Sequence, residues 1–146
     1  MMDLLVMVQI DGRQCALRAR DVQSVMEIEA VTPIPCSPSH VLGLSTRRSQ
    51  TLTVIDCRAA LGLAPHSDPI GQRAAVVKHD EHYYALLVDV IDDVEDALDE
   101  IQAISNAFGT EWARVSYGRV ETALGVTLLL DVSKLVQGPE ETTLAA

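Results

Sequence analysis

The stretch Leu4-Leu5-Val6-Met7-Val8-Gln9-Ile10-Asp11-Gly12-Arg13-Gln14-Cys15-Ala16-Leu17 carries the reading that decides the fold. Leu4 to Ile10 is a short apolar run bounded by a turn signal, as strands are. Asp11-Gly12 is a residue pair that accepts positive φ at both central positions of a tight hairpin turn. Gln14 to Leu17 is then the returning strand. The chain opens with a β-hairpin, and the same alternation of short apolar runs and turn residues recurs downstream.

Arg20 to Ile28 begins as a short turn and continues as a strand. Val31 to Pro38 holds three prolines, Pro33, Pro35 and Pro38. Proline fixes φ and removes a donor, so this segment is an extended loop, expected to lie along the first lobe. Val41 to Leu44 is a short strand whose Gly43 marks a bulge or a close backbone approach. Arg47 to Gln50 is a polar turn, and Thr51 to Ile55 is a strand. Asp56 caps a short helix that runs to Leu61 and closes at Gly62. Ala64 to Gly71 carries two prolines, a serine and a glycine, and reads as the boundary between two lobes.

A second hairpin follows, with Ala74 to Lys78, a turn at Asp80-Glu81, and Tyr83 to Val90. These strands are apolar on both faces, which suits a barrel wall with a second lobe packed on it. Asp89 to Ile104 supports two readings. One is a helix with Val94, Leu98 and Ile101 on a face. The other is a strand to about Val94 followed by an acidic connection. Val115 to Thr122 and Val126 to Leu130 are strands, Asp131 to Val136 a short helix, and residues 138–146 a frayed tail. Roughly eight to ten short strands with turns every ~8–12 residues point to barrels or a sandwich.

Composition bounds the function. Of 146 residues, 48 % are hydrophobic and only 3 % aromatic, so the core is aliphatic and needs no metal or disulfide. The net charge of -10 disfavours nucleic acid and anionic membranes as partners. The cysteines Cys15, Cys36 and Cys57 are odd in number and widely spaced, as reduced thiols of a cytoplasmic protein are. The apolar N-terminal run is too short to span a bilayer, so direct membrane insertion is not expected.

Motifs for catalysis are absent: no phosphate loop, no nucleophile elbow, no His-Glu-x-x-His, no zinc-type cysteine spacing. His79-Asp80-Glu81-His82 has the composition of a metal cluster, but it falls where a hairpin turns, and the solvated-turn reading is preferred. Asp89, Asp92, Asp93, Glu95, Asp96, Asp99 and Glu100 lack the spacing of a calcium loop and read as a solvated face, with an electrostatic docking strip as the alternative. Arg47-Arg48 is different, because arginine in an exposed turn is a favoured interface residue.

Together these elements resemble CheW-like domains, the coupling proteins of bacterial chemosensory arrays. The resemblance rests on Cys15-Ala16-Leu17, Val22-Gln23-Ser24-Val25, Thr32 to Pro38, Val41-Leu42-Gly43, Thr46 to Ser49, Thr53 to Cys57, Leu61-Gly62-Leu63, Leu87 to Ile91, Gly118 and Leu129-Leu130-Asp131. It covers about residues 4 to 137. The family's Asn-Leu-Arg-Gly turn is altered here, with Arg48 retained, and Thr53 stands for a proline.

The resemblance implies a mostly β fold of two small five-stranded SH3-like barrels around a shared apolar interface, with short helices. The lobes are expected at about 12–66 and 70–137, with the N-terminal strand open to sharing. The resemblance implies no catalysis, no cofactor and no metal. It implies an adaptor that couples the cytoplasmic tip of a methyl-accepting chemoreceptor to a CheA-type histidine kinase, at membrane-associated arrays. Receptor contact is carried over to Val22, Ser24, Val25, Gly43 and Ile91, and kinase coupling to Arg48. The altered turn leaves an accessory scaffold of a divergent pathway as the alternative, with pili, development or cyclic-dinucleotide signalling as output. A metal- or ligand-binding barrel using His79 and His82 is the remote third reading.

Overall fold

The computed structural model describes residues 4–66, 68–104 and 109–139. The opening hairpin is β1 (Leu4–Ile10) and β2 (Arg13–Arg18). Asp11 and Gly12 turn at φ 53° and 76°, and Ile10 faces Arg13. A 3-10 turn at Ala19–Asp21 leads into β3 (Val22–Glu27). Next come β4 (Val41–Arg47), β5 (Gln50–Asp56) and α1 (Cys57–Ala60). The second hairpin of the sequence is β6 (Arg73–His79) and β7 (His82–Leu87). The acidic stretch is strand rather than helix, as β8 (Val90–Asp96). The chain closes with α2 (Thr110–Val115), β9 (Ser116–Thr122), β10 (Gly125–Leu130) and α3 (Val132–Gln137). The expected tail falls mostly on residues outside the described ones.

These strands form two five-stranded sheets, ordered β3-β6-β7-β5-β4 and β8-β1-β2-β10-β9. The lobe boundaries expected at 12–66 and 70–137 are therefore corrected. The first sheet takes β3 to β7, residues 22–87. The second takes the N-terminal hairpin and everything from β8 onward. The reason is pairing. β7 runs parallel beside β5, with Thr53 opposite Tyr84 and Asp56 opposite Leu87. A parallel neighbour needs a crossover connection, and 64–71 is part of that crossover, not a border.

The two sheets follow one plan. β3, β4, β5 and α1 correspond to β8, β9, β10 and α3, and the hairpin β6–β7 corresponds to β1–β2. Each plan has one parallel pair, β5 with β7 and β10 with β2. Asp56 caps α1 through Arg58 N and Ala59 N, and Asp131 caps α3 through Ser133 N. In the second sheet the hairpin comes first in the chain, so the two plans are circular permutations of each other.

Strand pairing does not close either sheet into a barrel. Instead the segment leaving one edge strand crosses to the other edge. Thr32, after β3, exchanges two backbone hydrogen bonds of 2.8 Å with Leu44 of β4. Gln102, after β8, does the same with Arg119 of β9 at 2.9 Å. Each crossing passes over a glycine. A Cβ on Gly43 would stand 2.2 Å from the Thr32 carbonyl oxygen, and one on Gly118 would stand 2.3 Å from Ile101 Cγ2.

Period-2 alternation then builds three cores. Leu5, Met7, Ala16, Val120 and Leu129 fill the second sheet's own interior. Ile28, Val54, Ala74, Ala85 and Leu87 fill the first sheet's. The intervening residues, among them Val6, Val8, Ile10, Leu17, Ile55, Ala75, Val77, Leu86, Val88, Leu128 and Leu130, form the largest core, between the sheets. Strands apolar on both faces are what such a sandwich requires.

Candidate functional site

Each sheet has a bulged edge strand. In β3, Val22 pairs with Val77 and Ser24 with Val76, so Gln23 is the extra residue. Beyond the bulge, Val25 pairs with Ala75. Paired residues share a face, and Val77 and Ala75 both point into the core between the sheets. The bulge therefore sets Val22 and Val25, three positions apart, on that same face. An unbulged strand would put them on opposite faces.

β8 repeats the device. Ile91 pairs with Val8 and Val94 with Val6, with the register shifting between Val6 and Val8. Val8 and Val6 belong to the core between the sheets, so Ile91 and Val94 face it too. In both strands the first residue, Val22 or Ile91, packs on that core. The second is left open: Val25 is 41 % exposed and Val94 49 %. Two edge strands, one from each sheet, thus offer a matched pair of apolar side chains on the rim of one core. Asp92 and Asp93, exposed, occupy the bulge between Ile91 and Val94.

Three of the expected receptor-contact residues, Val22, Val25 and Ile91, face the core between the sheets, and Val94 faces it as well. Ser24 and Gly43 are placed elsewhere. Ser24 points to the other face of β3, and its Oγ is buried with no hydrogen-bond partner. Gly43 is buried at φ 148° beneath the Thr32 carbonyl, which accounts for its missing side chain. The signal for Val94 was in the chain: Ile91-Asp92-Asp93-Val94 has the apolar spacing of Val22-Gln23-Ser24-Val25.

Arg48 lies at the tip of the β4–β5 hairpin. It and Ser49 turn at φ 52° and 69° between the paired Arg47 and Gln50. Its side chain is exposed. His79 and His82 face each other across the β6–β7 turn, with Asp80 and Glu81 at φ 49° and 69°. His79 Nε2 is 3.4 Å from Asp80 Oδ2. Among the described residues no three His, Cys, Asp or Glu side chains are grouped to hold a metal ion.

Two acids of β8 and the following connection, Asp92 and Asp99, have local structural partners. Asp92 accepts from Gln9 Nε2 at 3.2 Å, and Asp99 accepts from Glu121 N at 2.9 Å. Two of the thiols are buried: burial pushes Cys15 up to about 12, and burial, reinforced by the charge of Asp56, raises Cys57 well above the ordinary thiol range. Thiolate chemistry at neutral pH is closed to both. Among the described residues no helix is long and apolar enough to cross a membrane.

Comparison with known proteins fits this geometry. The chain is 35 % identical over 85 residues to "Probable chemotaxis protein CheW" of Rhizobium etli, covering 56 % of this chain and 54 % of that protein. The alignment thus spans about half the relative's length. The scaffolding protein TtCheW of Thermoanaerobacter tengcongensis has the same fold, with a TM-score of 0.79 at 21 % identity over 92 % of this chain and 88 % of that one. The model of the CheW-like domain matches residues 4–140, nearly the whole chain, and this protein belongs to that family.

Proposed function

We propose that the chain is a non-enzymatic adaptor that couples chemoreceptors to a CheA-type histidine kinase. The observation that carries the proposal is the rim formed by Val22, Val25, Ile91 and Val94. Two apolar pairs beside one core suit the apolar face of a helix, and a chemoreceptor ends in a helical hairpin tip. Val25 and Val94 supply the area newly buried on contact, while Val22 and Ile91 hold the rim against the core. Gly43 serves the site by letting the Thr32 crossing approach β4. Ser24 lies on the opposite face of β3, paired with Val76. Arg48, at an exposed hairpin tip away from the strand rim, belongs to the kinase-coupling surface. Such a protein works at the cytoplasmic side of membrane-associated arrays by raising effective concentration and fixing geometry.

The test is reconstitution with receptor-tip fragments and a CheA-type histidine kinase. Arg48→Glu is expected to lose the kinase complex and keep the receptor contact. Val25→Asp is expected to do the reverse. Wild-type protein that binds neither partner overturns the proposal. The altered turn Thr46-Arg47-Arg48-Ser49 favours a second reading, an accessory scaffold whose kinase serves another output such as pili, development or cyclic-dinucleotide signalling. Co-purification with a kinase of that output, and not with a motility kinase, selects it.

A further inference from the structure

The two edge crossings are equivalent, but they end differently. Leu44 corresponds to Arg119, because each exchanges two backbone hydrogen bonds with the segment that crosses it. Two residues on, Thr46 corresponds to Glu121. Each stands one residue before the pair that closes its hairpin, Arg47 with Gln50 and Thr122 with Gly125. Hydrogen-bonded and non-hydrogen-bonded pairs alternate along an antiparallel ladder. Leu44 directs its N–H and C=O outward to Thr32, so Thr46 directs its own outward as well. Arg119 and Glu121 stand in the same relation.

In the second sheet the outward groups of Glu121 are both satisfied. Its carbonyl accepts from Leu98 N at 2.8 Å, and its N–H donates to Asp99 Oδ1 at 2.9 Å. Two successive residues of the crossing thus bring a donor and a carboxylate to the edge. In the first sheet the crossing is residues 28–31, one residue shorter than 97–101 of the second. Continued register would set Ala30 opposite Thr46, but no hydrogen bond joins them. Among the described residues none reaches the outward N–H or C=O of Thr46. The two segments diverge around a notch of about 340 Å³. Glu29, Ala30 and Thr32 line one side of it, and Leu44, Thr46 and Thr51 the other.

The charge beside the notch is opposite to that of the chain. Arg47 and Arg48 follow Thr46 directly, and among the described residues neither is in an ion pair. The corresponding residues of the second sheet, Thr122 and Ala123, are uncharged. That edge holds its own acid and has no arginine next to it. The first edge lacks an acid bonded to it and has two arginines, in a chain of net charge -10. Its charge is complementary to an acid brought from outside. Its unpaired backbone groups are a template for an added strand.

We propose that the β4 edge at Thr46 is a docking site for an extended acidic segment of a partner protein. A backbone N–H of the segment donates to the Thr46 carbonyl. The Thr46 N–H donates to the carboxylate of the segment's next residue, an aspartate, and Arg47 and Arg48 pair with flanking acids. This is strand addition at a sheet edge, in which main-chain bonds give affinity and side chains give specificity. Leu98-Asp99 is the pattern for the segment, since this chain already uses it on the equivalent edge. The site adjoins the kinase-coupling residue Arg48 but does not rest on that role; it needs only the open edge and its charge.

The probe is a synthetic peptide copying residues 96–102, Asp96 to Gln102, titrated into the isotope-labelled full chain with neither kinase nor receptor present. In amide NMR the Thr46 signal is expected to move downfield and saturate, while that of Glu121, already bonded, stays in place. Methylating the peptide nitrogen that copies Leu98, or replacing the aspartate that copies Asp99 with alanine, is expected to weaken binding about five- to tenfold each, the size of one hydrogen bond. In the chain, Arg47→Ser combined with Arg48→Ser is expected to weaken it and to flatten its dependence on salt. A Thr46 signal unmoved at about 10 mM peptide, above the millimolar range of weak contacts, overturns the inference. So does a methylated peptide that binds as well as its parent. The peptide variants leave the protein unaltered, so poor folding of the arginine variant leaves the inference decidable.

Discussion

Gly43→Ala separates a contact residue from a structural one. The glycine stands at φ 148°, and the added methyl would lie 2.2 Å from Thr32 O and 2.8 Å from Thr32 C. Both obstacles are backbone, so no side chain can swing away. Backbone strain at such a φ costs about 1–3 kcal/mol. Relieving the clash means moving Thr32 off β4, which breaks the two 2.8 Å bonds with Leu44, at about 1 kcal/mol each. The expected loss is about 3–5 kcal/mol. Gly12→Ala is the control: φ is 76° there, and nothing lies within 4 Å of the added methyl. Its cost is about 1–2 kcal/mol, from the left-handed conformation alone. Urea unfolding of the two variants and the parent, with equal slopes, gives the difference directly. Gly43→Ala no less stable than Gly12→Ala refutes the crossing argument. If it also binds receptor tip poorly, Gly43 is part of the contact surface after all.

Val25→Asp combined with Val94→Asp is expected to leave the unfolding free energy within about 0.5 kcal/mol, as exposed substitutions do. It should lower receptor-tip affinity at least about tenfold, by desolvating two carboxylates against an apolar helix; titration by fluorescence anisotropy reads it, and unchanged affinity removes the rim from the site. Asp56→Ala is expected to cost about 3 kcal/mol and Asp131→Ala about 1 kcal/mol. Both remove a helix cap, but only Asp56 is fully buried and also holds the His66 ring and N–H. Equal losses in thermal unfolding count against the buried cluster. A thiol reagent at about pH 8 should modify one cysteine of the native chain, exposed Cys36, and all three after denaturation. Fast native labelling of Cys15, which burial raises to about 12, contradicts the packed core between the sheets.

Much of the fold is legible in the chain because local rules decide it. Asp11-Gly12 and Asp80-Glu81 mark tight turns, and Asp56 and Asp131 mark helix starts. Pairing is less legible. Residues 64–71 look like a border because proline and glycine mark where a chain changes direction, not which strands meet afterwards. The helix α2 passes unseen because Gly109 precedes it with no side-chain cap and it runs for six residues only. The site was half visible. Val22, Val25 and Ile91 are expected from the family resemblance, but their common face depends on two bulges. A bulge is one unpaired residue, and Gln23 carries no mark of it. Val94 was obscured by its acidic neighbours, whose charge reads as a solvated surface.

The permuted plan has a consequence for the order in which the molecule assembles. The first sheet is continuous in the chain and can form as soon as β7 is made. The second cannot: β1 and β2 must wait for β8 and β10, more than a hundred residues after the hairpin turns in the case of Leu128 beside Cys15. Long-range closures of this kind are slow steps in folding. Until the closure, the first sheet's side of the shared core, including Ile55, Ala75, Val77 and Leu86, is the wall available to cover Val6, Val8 and Ile10. The early half of the molecule thus acts as the template on which the chain's two ends are joined. Loss of β10 would leave the first sheet able to form but with part of its apolar outer wall uncovered, which is a recipe for aggregation rather than for a smaller soluble protein.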